Sequence, residues 1–243
     1  MRRVIFNVFR DSDRDIYREI LYPREKSIRY GTSDGVVEGE SMDTKAYLKI
    51  LVEDIHSTVV ATIDRDRHPV TRCIDMMLYD DNGVYFLTAK GKEFYTQLME
   101  QQYISLSAVS GKWCISLAGR VENIGRKKLD EIFLKNAYMQ DIYPENTRSA
   151  LEVFRIFEAH GNFFDISDPG HVTRGTFSIG KTSPETGGYR ISGRCNGCGK
   201  CLSVCPQSCI DLSRAPAVIE QNQCLHCGNC VPVCPAGAIS KVM

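Results

Sequence analysis

The sequence predicts two folds in one chain: a mainly β antiparallel barrel with interspersed helices, then a small, cysteine-dense α+β module. Three observations predict this. Nine of the 11 cysteines fall between Cys195 and Cys234, with only Cys73 and Cys114 earlier, whereas a disulfide scaffold spreads its cysteines through the domain it staples. Between residues 58 and 179, short β-branched runs are joined by polar turns, and no G-x-G-x-x-G or Walker sequence marks a doubly wound nucleotide fold. The 243 residues, 43% hydrophobic and 25% charged, suffice for one domain of ordinary size plus a small one.

Thirty basic residues balance thirty acidic ones. Zero net charge argues against a nucleic-acid or membrane-surface partner recruited by bulk electrostatics. No apolar run approaches the ~20 residues of a membrane helix. Asn7 and Arg10 break the first apolar stretch too early for a signal peptide. The expectation is a cytoplasmic protein.

Residues 1–41 are charge-dense and fit no element of a barrel; they are expected to be an N-terminal arm, or to precede a true start at Met42. Residues 58–63 read as a strand closed by the turn at 64–67. Residues 70–79 read as a second strand, and the Asn82-Gly83 turn returns the chain as a third over 84–88. A helix is expected over 92–101, a strand pair over 104–109 and 113–123, and helices opening at Gly125 and spanning 147–154. Strands over 156–166 and 172–179 close the domain, here bounded as 42–179. Short turns between most strands suit an antiparallel barrel. Residues 180–190, with Pro184 and adjacent Gly187 and Gly188, read as a linker.

The remaining segment, 191–243, contains an internal repeat. Cys195, Cys198, Cys201, Cys205 and Pro206 recur 29 residues on as Cys224, Cys227, Cys230, Cys234 and Pro235. Both halves read C-x2-C-x2-C-x3-C-P. Three thiolates at this spacing wrap one turn of backbone around a cubane, and the fourth ligand must arrive from elsewhere. Two structural zinc sites are the alternative, but zinc usually takes paired C-x2-C clips. The run resembles that of bacterial-type two-cluster ferredoxins. The resemblance implies two [4Fe-4S] clusters with crossed ligands: Cys195, Cys198, Cys201 and Cys234 on one, and Cys224, Cys227, Cys230 and Cys205 on the other. Cys209 aligns with Ala238 and reads as a small buried filler; His226, between two ligands, reads as a tuning neighbour. A segment this short draws most of its folding energy from the metal.

The long module carries a second resemblance. The strand at 58–63, the run from His68 to Arg72, the stretch from Gly83 through Thr88 to Lys92, and the run from Trp113 through Gly119 to Glu122 resemble the pyridoxamine 5′-phosphate oxidase-like split-barrel family. The likeness implies an FMN-binding split β-barrel, homodimeric, with flavin in the two interface clefts; some branches bind haem or a deazaflavin. Arg72, Thr88 and Lys92, with Lys90 beside them, would clasp the FMN phosphate. Cys73, Ile74, Asp75 and Met76 would lie along the ring, and Trp113 or Cys114 would approach the flavin of a partner subunit. The chain lacks the substrate-binding Arg and His pattern of the vitamin-B6 oxidases, which argues against pyridoxamine phosphate as substrate. His56, His68, His160 and His171 show no mutual metal-ligand spacing; haem would call on His160 or His171.

Together these readings imply an iron-sulfur flavoprotein oxidoreductase, with clusters exchanging electrons with FMN for chemistry on a small molecule. Such a pair suits an anaerobe. The donor or acceptor is not named by the sequence, and the competing expectation is an electron carrier whose barrel only dimerises and docks.

Overall fold

The structure, a computed structural model, describes residues 42–183 and 187–242. The expected N-terminal arm and residues 184–186 of the expected linker lie outside the described residues. The first element is helix α1, Thr44–Lys49, whose N-cap Asp43 accepts the Ala46 amide at 2.8 Å. A π-helical stretch, Ile50–Ile55, continues it and turns the chain into strand β1, Ser57–Ile63. Next come β2 (Pro69–Asp75), β3 (Leu78–Asp80), β4 (Gly83–Ala89), helix α2 (Glu93–Gln101), β5 (Tyr103–Ser110) and β6 (Trp113–Asn123). Helices α3 (Leu129–Lys135) and α4 (Met139–Ile142) and a 3-10 turn (Glu145–Ala150) precede β7 (Leu151–Asp165) and β8 (Thr173–Ile179).

These strands form one antiparallel sheet in the order β2-β1-β5-β6-β7-β4-β3, with β8 also pairing β7. The two edges of the path are β2 and β3, joined only by Met76 and Met77. The Met76 amide bonds to the His56 carbonyl and the Met77 amide to the Tyr85 carbonyl. The chain thus passes within two residues from one edge of the sheet to the other, and the sheet closes as a barrel. This is why the second strand, expected unbroken over 70–79, is two strands. On its other edge β7 splits: its first part pairs β4, from Ala89–Leu151 to Val84–Ile156, and its last part pairs β8.

The helix expected over 147–154 is not there beyond the 3-10 turn. Leu151, Val153 and Phe154 are at most 1% exposed and belong to β7, buried on both faces. Two apolar cores explain this. Val84, Phe86, Phe154 and Ile156 join the barrel interior, while Tyr85, Leu87, Leu151 and Val153 pack under α3 and α4. A strand covered on both faces reads as a continuous apolar run, which periodicity alone does not separate from a helix. The turn before β4 requires glycine: Gly83 has φ +140°, and a Cβ there would stand 2.0 Å from the Ile156 carbonyl oxygen.

The cysteine module follows as β9 (Gly188–Ile191), helix α5 (Lys200–Ser203), β10 (Ile210–Asp211), β11 (Val218–Ile219) and β12 (Ile239–Val242). Strands β9 and β12 pair, as do β10 and β11. Residues 188–190, expected as linker, thus belong to the module's own sheet. Among the described residues no helix is long and apolar enough to cross a membrane.

Candidate functional site

The sequence repeat of the module is also a backbone repeat. Gly197 and His226, Gly199 and Gly228, and Ser208 and Gly237 are equivalent positions, and all six have φ between 51° and 80°. Left-handed residues tighten each loop so that amides turn towards sulfur. The Gly197 amide lies 3.5 Å from Cys195 Sγ, the His226 amide 3.4 Å from Cys224 Sγ, and the Ala238 amide 3.3 Å from Cys234 Sγ. Amides of Ala217 and Gly197 hold the Cys195 thiol below the usual thiol range, whereas burial pushes Cys201 and Cys230 up.

The eight expected ligands sort into two recesses. One is lined by Cys195, Cys198, Cys201 and Cys234, the other by Cys205, Cys224, Cys227 and Cys230, with Cys209 also on its wall. Each recess therefore receives one cysteine from the opposite half. Among the described residues no three cysteine sulfurs lie within 4.8 Å of one another. Tetrahedral zinc, with Zn–S of about 2.3 Å, would draw its sulfurs to within about 3.8 Å of each other. The wider cages and the all-thiol donor set suit an iron-sulfur cubane. Cys209 is 3% exposed with its sulfur 3.5 Å from that of Cys205, and burial pushes its thiol far up, as suits a neutral filler. His226 Nε2 is buried without a hydrogen-bond partner, and burial, with Arg174 and Lys241 nearby, pulls the imidazole down.

On the barrel, Arg72 and Thr88 are brought to the start of α2. The Arg72 guanidinium lies 4.6 Å from the Phe94 ring centroid and donates to Thr62 Oγ1 and, at 3.0 Å, to Gln97 Oε1. Burial lowers its pKa, opposed by Glu93. Thr88, at the end of β4, is 2% exposed, and its Oγ1 is buried with no hydrogen-bond partner. Lys92 is exposed at the N-cap of α2, where no side chain caps the helix. Lys90 is exposed and 3.8 Å from Glu152. An orphaned hydroxyl, an uncapped helix N-terminus and an arginine with three of its five donors unspent fit a phosphate.

Cys73 is exposed and Ile74 half-buried on β2. Met76 is fully buried in the barrel core with its amide already bonded. Asp75 accepts from Ser57 Oγ and Tyr138 Oη, both at 2.6 Å, with His56 Nε2 at 3.6 Å. Trp113, packed on Phe163, and Cys114 are not brought to these residues. They lie on β6, three strands from β2 and so about 14 Å away in the same protomer. His171 pairs with Asp168 at 3.2 Å, and His68 lies in an exposed group with Asp64 and Asp66.

Sequence reasoning missed the contacts that seat the module on the barrel. Gln207, 8% exposed, accepts the Val172 amide at 2.9 Å and donates to the Pro169 carbonyl at 3.1 Å. The Arg174 amide donates to the Asn222 carbonyl at 2.7 Å, and its guanidinium to the Cys224 carbonyl at 3.4 Å. Nothing in local spacing marks these residues. The same holds for Thr62 and Gln97 beneath Arg72.

Comparison with known proteins assigns both modules. Residues 44–161 match the family described as pyridoxamine 5′-phosphate oxidase, and residues 194–238 match the 4Fe-4S dicluster domain, which supports 4Fe-4S cluster binding by the module. No curated protein matches the chain. Among solved structures, a NimC/NimA family protein of Clostridium acetobutylicum is 16% identical, aligning 55% of this chain with 92% of that one at a TM-score of 0.47. A protein of the same organism related to general stress protein 26 of B. subtilis is 19% identical over 57% and 97%, with TM-score 0.45. A pyridoxamine 5′-phosphate oxidase-related, FMN-binding protein of Nostoc punctiforme PCC 73102 is 11% identical over 54% and 86%, with TM-score 0.41.

Proposed function

We infer that this chain, which joins a domain of the pyridoxamine 5′-phosphate oxidase family to a 4Fe-4S dicluster domain, is an electron-transferring flavoprotein with two clusters and FMN, acting as a homodimer on a small molecule. The observation that carries the reading is the sorting of eight cysteines into two crossed recesses on a module hydrogen-bonded to the barrel. When bound, the clusters supply single electrons and the flavin two-electron chemistry.

The chain's own residues hold these groups. Cys195, Cys198, Cys201 and Cys234 hold one cluster; Cys205, Cys224, Cys227 and Cys230 hold the other. Arg72 and Lys92 bind the flavin phosphate as cations, Thr88 gives it a hydroxyl donor, and Lys90 adds charge at the mouth. Cys73, Ile74 and Asp75 run along the ring, whereas Met76, buried in the core with its amide bonded to His56, lies behind them. Trp113 and Cys114, too far from Arg72 within one protomer, close the cleft from a second copy. That copy packs on the outward face of β1, β2 and β5, where Val59 and Val109 are 47% and 67% exposed and Ala61, Ser105 and Ser107 present no charge.

Anoxic purification tests the reading. A flavin doublet over a broad iron-sulfur shoulder is expected, with the flavin lost in the Arg72→Ala, Lys92→Ala double variant and the iron retained. Clusters with no flavin would leave a redox module whose barrel only docks it, and a Soret band would put haem in the cleft.

A further inference from the structure

We propose that Arg174, with Phe164 behind it, couples the cysteine set Cys205, Cys224, Cys227 and Cys230 to the barrel. This set then carries the barrel-side cluster, and the row Arg174, Phe164, Cys114 carries its electron towards the face where a second copy packs. The inference rests on the reading above, in which both sets hold clusters and flavin lies in the cleft that a second copy closes.

The contacts between module and barrel are one-sided. Among the described residues, the hydrogen bonds from β8 and the loop before it reach Gln207, Asn222 and Cys224. Gln207 follows Cys205 and Pro206, and Asn222 precedes Cys224. None reaches the Cys195–Cys201 loop or Cys234. One recess is therefore pinned to the barrel, while the loop bearing the exposed Cys198 stands away from these contacts.

Arg174 lies between the pinned recess and the barrel. Its guanidinium reaches the Cys224 carbonyl on one side and stands 5.7 Å from the Phe164 ring centroid on the other. Among the described residues no carboxylate pairs with it. A half-buried, unneutralised cation beside a thiolate-bound cluster favours the more negative, reduced form. Phe164 opposes Arg174 in the β7–β8 ladder and Cys114 in the β6–β7 ladder. Residues directly opposite one another share a face, so the three side chains form one row, about 10 Å across its two cross-strand steps.

Along this row a single electron passes and no bond forms or breaks. Iron on the module side is oxidised by one unit, and flavin on the barrel side is reduced by one. Two passages and a proton from water complete a two-electron reduction. A small one-electron carrier protein, meeting the exposed Cys198 loop, restores the electrons.

Full-length protein prepared anoxically, with iron, sulfide and flavin counted, tests the proposal through redox titration followed by EPR. In Arg174→Gln one of the two cluster potentials moves down, its reduction equilibrium weakened by about tenfold, while the other stays. Arg174→Lys restores it. Phe164→Leu leaves both potentials in place and slows light-triggered cluster-to-flavin transfer by about tenfold. Both potentials moving together, or neither moving with iron retained, overturns the proposal. Should Arg174→Gln lose iron, Phe164→Leu decides, and an unchanged transfer rate overturns it. Wild-type protein with iron but no flavin overturns the underlying reading instead, and the potential of Arg174→Gln still judges the seat.

Discussion

Cys234 belongs to the second half of the cysteine repeat yet lines the recess of the first together with Cys195. The crossing makes each recess depend on both halves. Cys234→Ala should therefore strip the cluster of the first set, with iron per chain falling by about half by metal analysis. Because ligation supplies much of the module's folding energy, a strong chelator should unfold residues 188–242 at a concentration that leaves the barrel's circular dichroism in place.

Cys209 makes the complementary case. It is buried at the position where the other half has Ala238. Cys209→Ala should keep all of its iron and both potentials, and cost no more than about 2 kcal/mol in stability. Loss of iron would mark it as a ninth ligand.

Thr88 allows a test with opposite signs in two states. Its hydroxyl is buried and unpartnered without ligand, so Thr88→Val should stabilise the flavin-free protein by about 1 kcal/mol, seen as a higher Tm. The same change should weaken flavin retention, measured by fluorescence of released flavin. Unchanged retention would remove Thr88 from the phosphate site.

Asp75 gives a pH signature. Burial pushes its carboxyl up, but the hydrogen bonds from Ser57 and Tyr138 and the nearby His56 outweigh this and hold it below the usual carboxylate range. A depressed carboxyl contributes stability above its unfolded value of about 3.9 and loses it as pH falls through the folded value. Tyr138→Phe removes one of these bonds. It should cost about 1 kcal/mol at neutral pH, and the difference from wild type in urea denaturation should shrink below about pH 4.

The cysteine repeat was legible in the sequence because its spacing is local: C-x2-C-x2-C groups three cysteines in one loop, whereas the crossing of Cys205 and Cys234 followed only from the resemblance. The turn before β4 was legible because Asn-Gly is a local turn signal, although the two-residue loop is Asp81-Asn82 and Gly83, paired with Asp80, opens the strand. The β7 segment at Leu151–Phe154 was not, because burial on both faces erased the alternation that signals a strand. The break at Met76 and Met77 was hidden because barrel closure is a long-range event with no residue of its own. Arg72 and Thr88 stood out as candidates, whereas Thr62 and Gln97, which hold Arg72, and Gln207 and Arg174, which seat the module, act through partners distant in sequence.

Strand β9 enters the module before its first cysteine, and β12 leaves after its last; the two pair side by side over four residues. All eight cysteines of the repeat thus lie inside a hoop whose clasp is this short ladder. Tension arriving from the barrel through residue 187 is borne by the clasp in shear before it can reach a thiolate. The cysteine loops are thereby set apart from a pull that enters at residue 187.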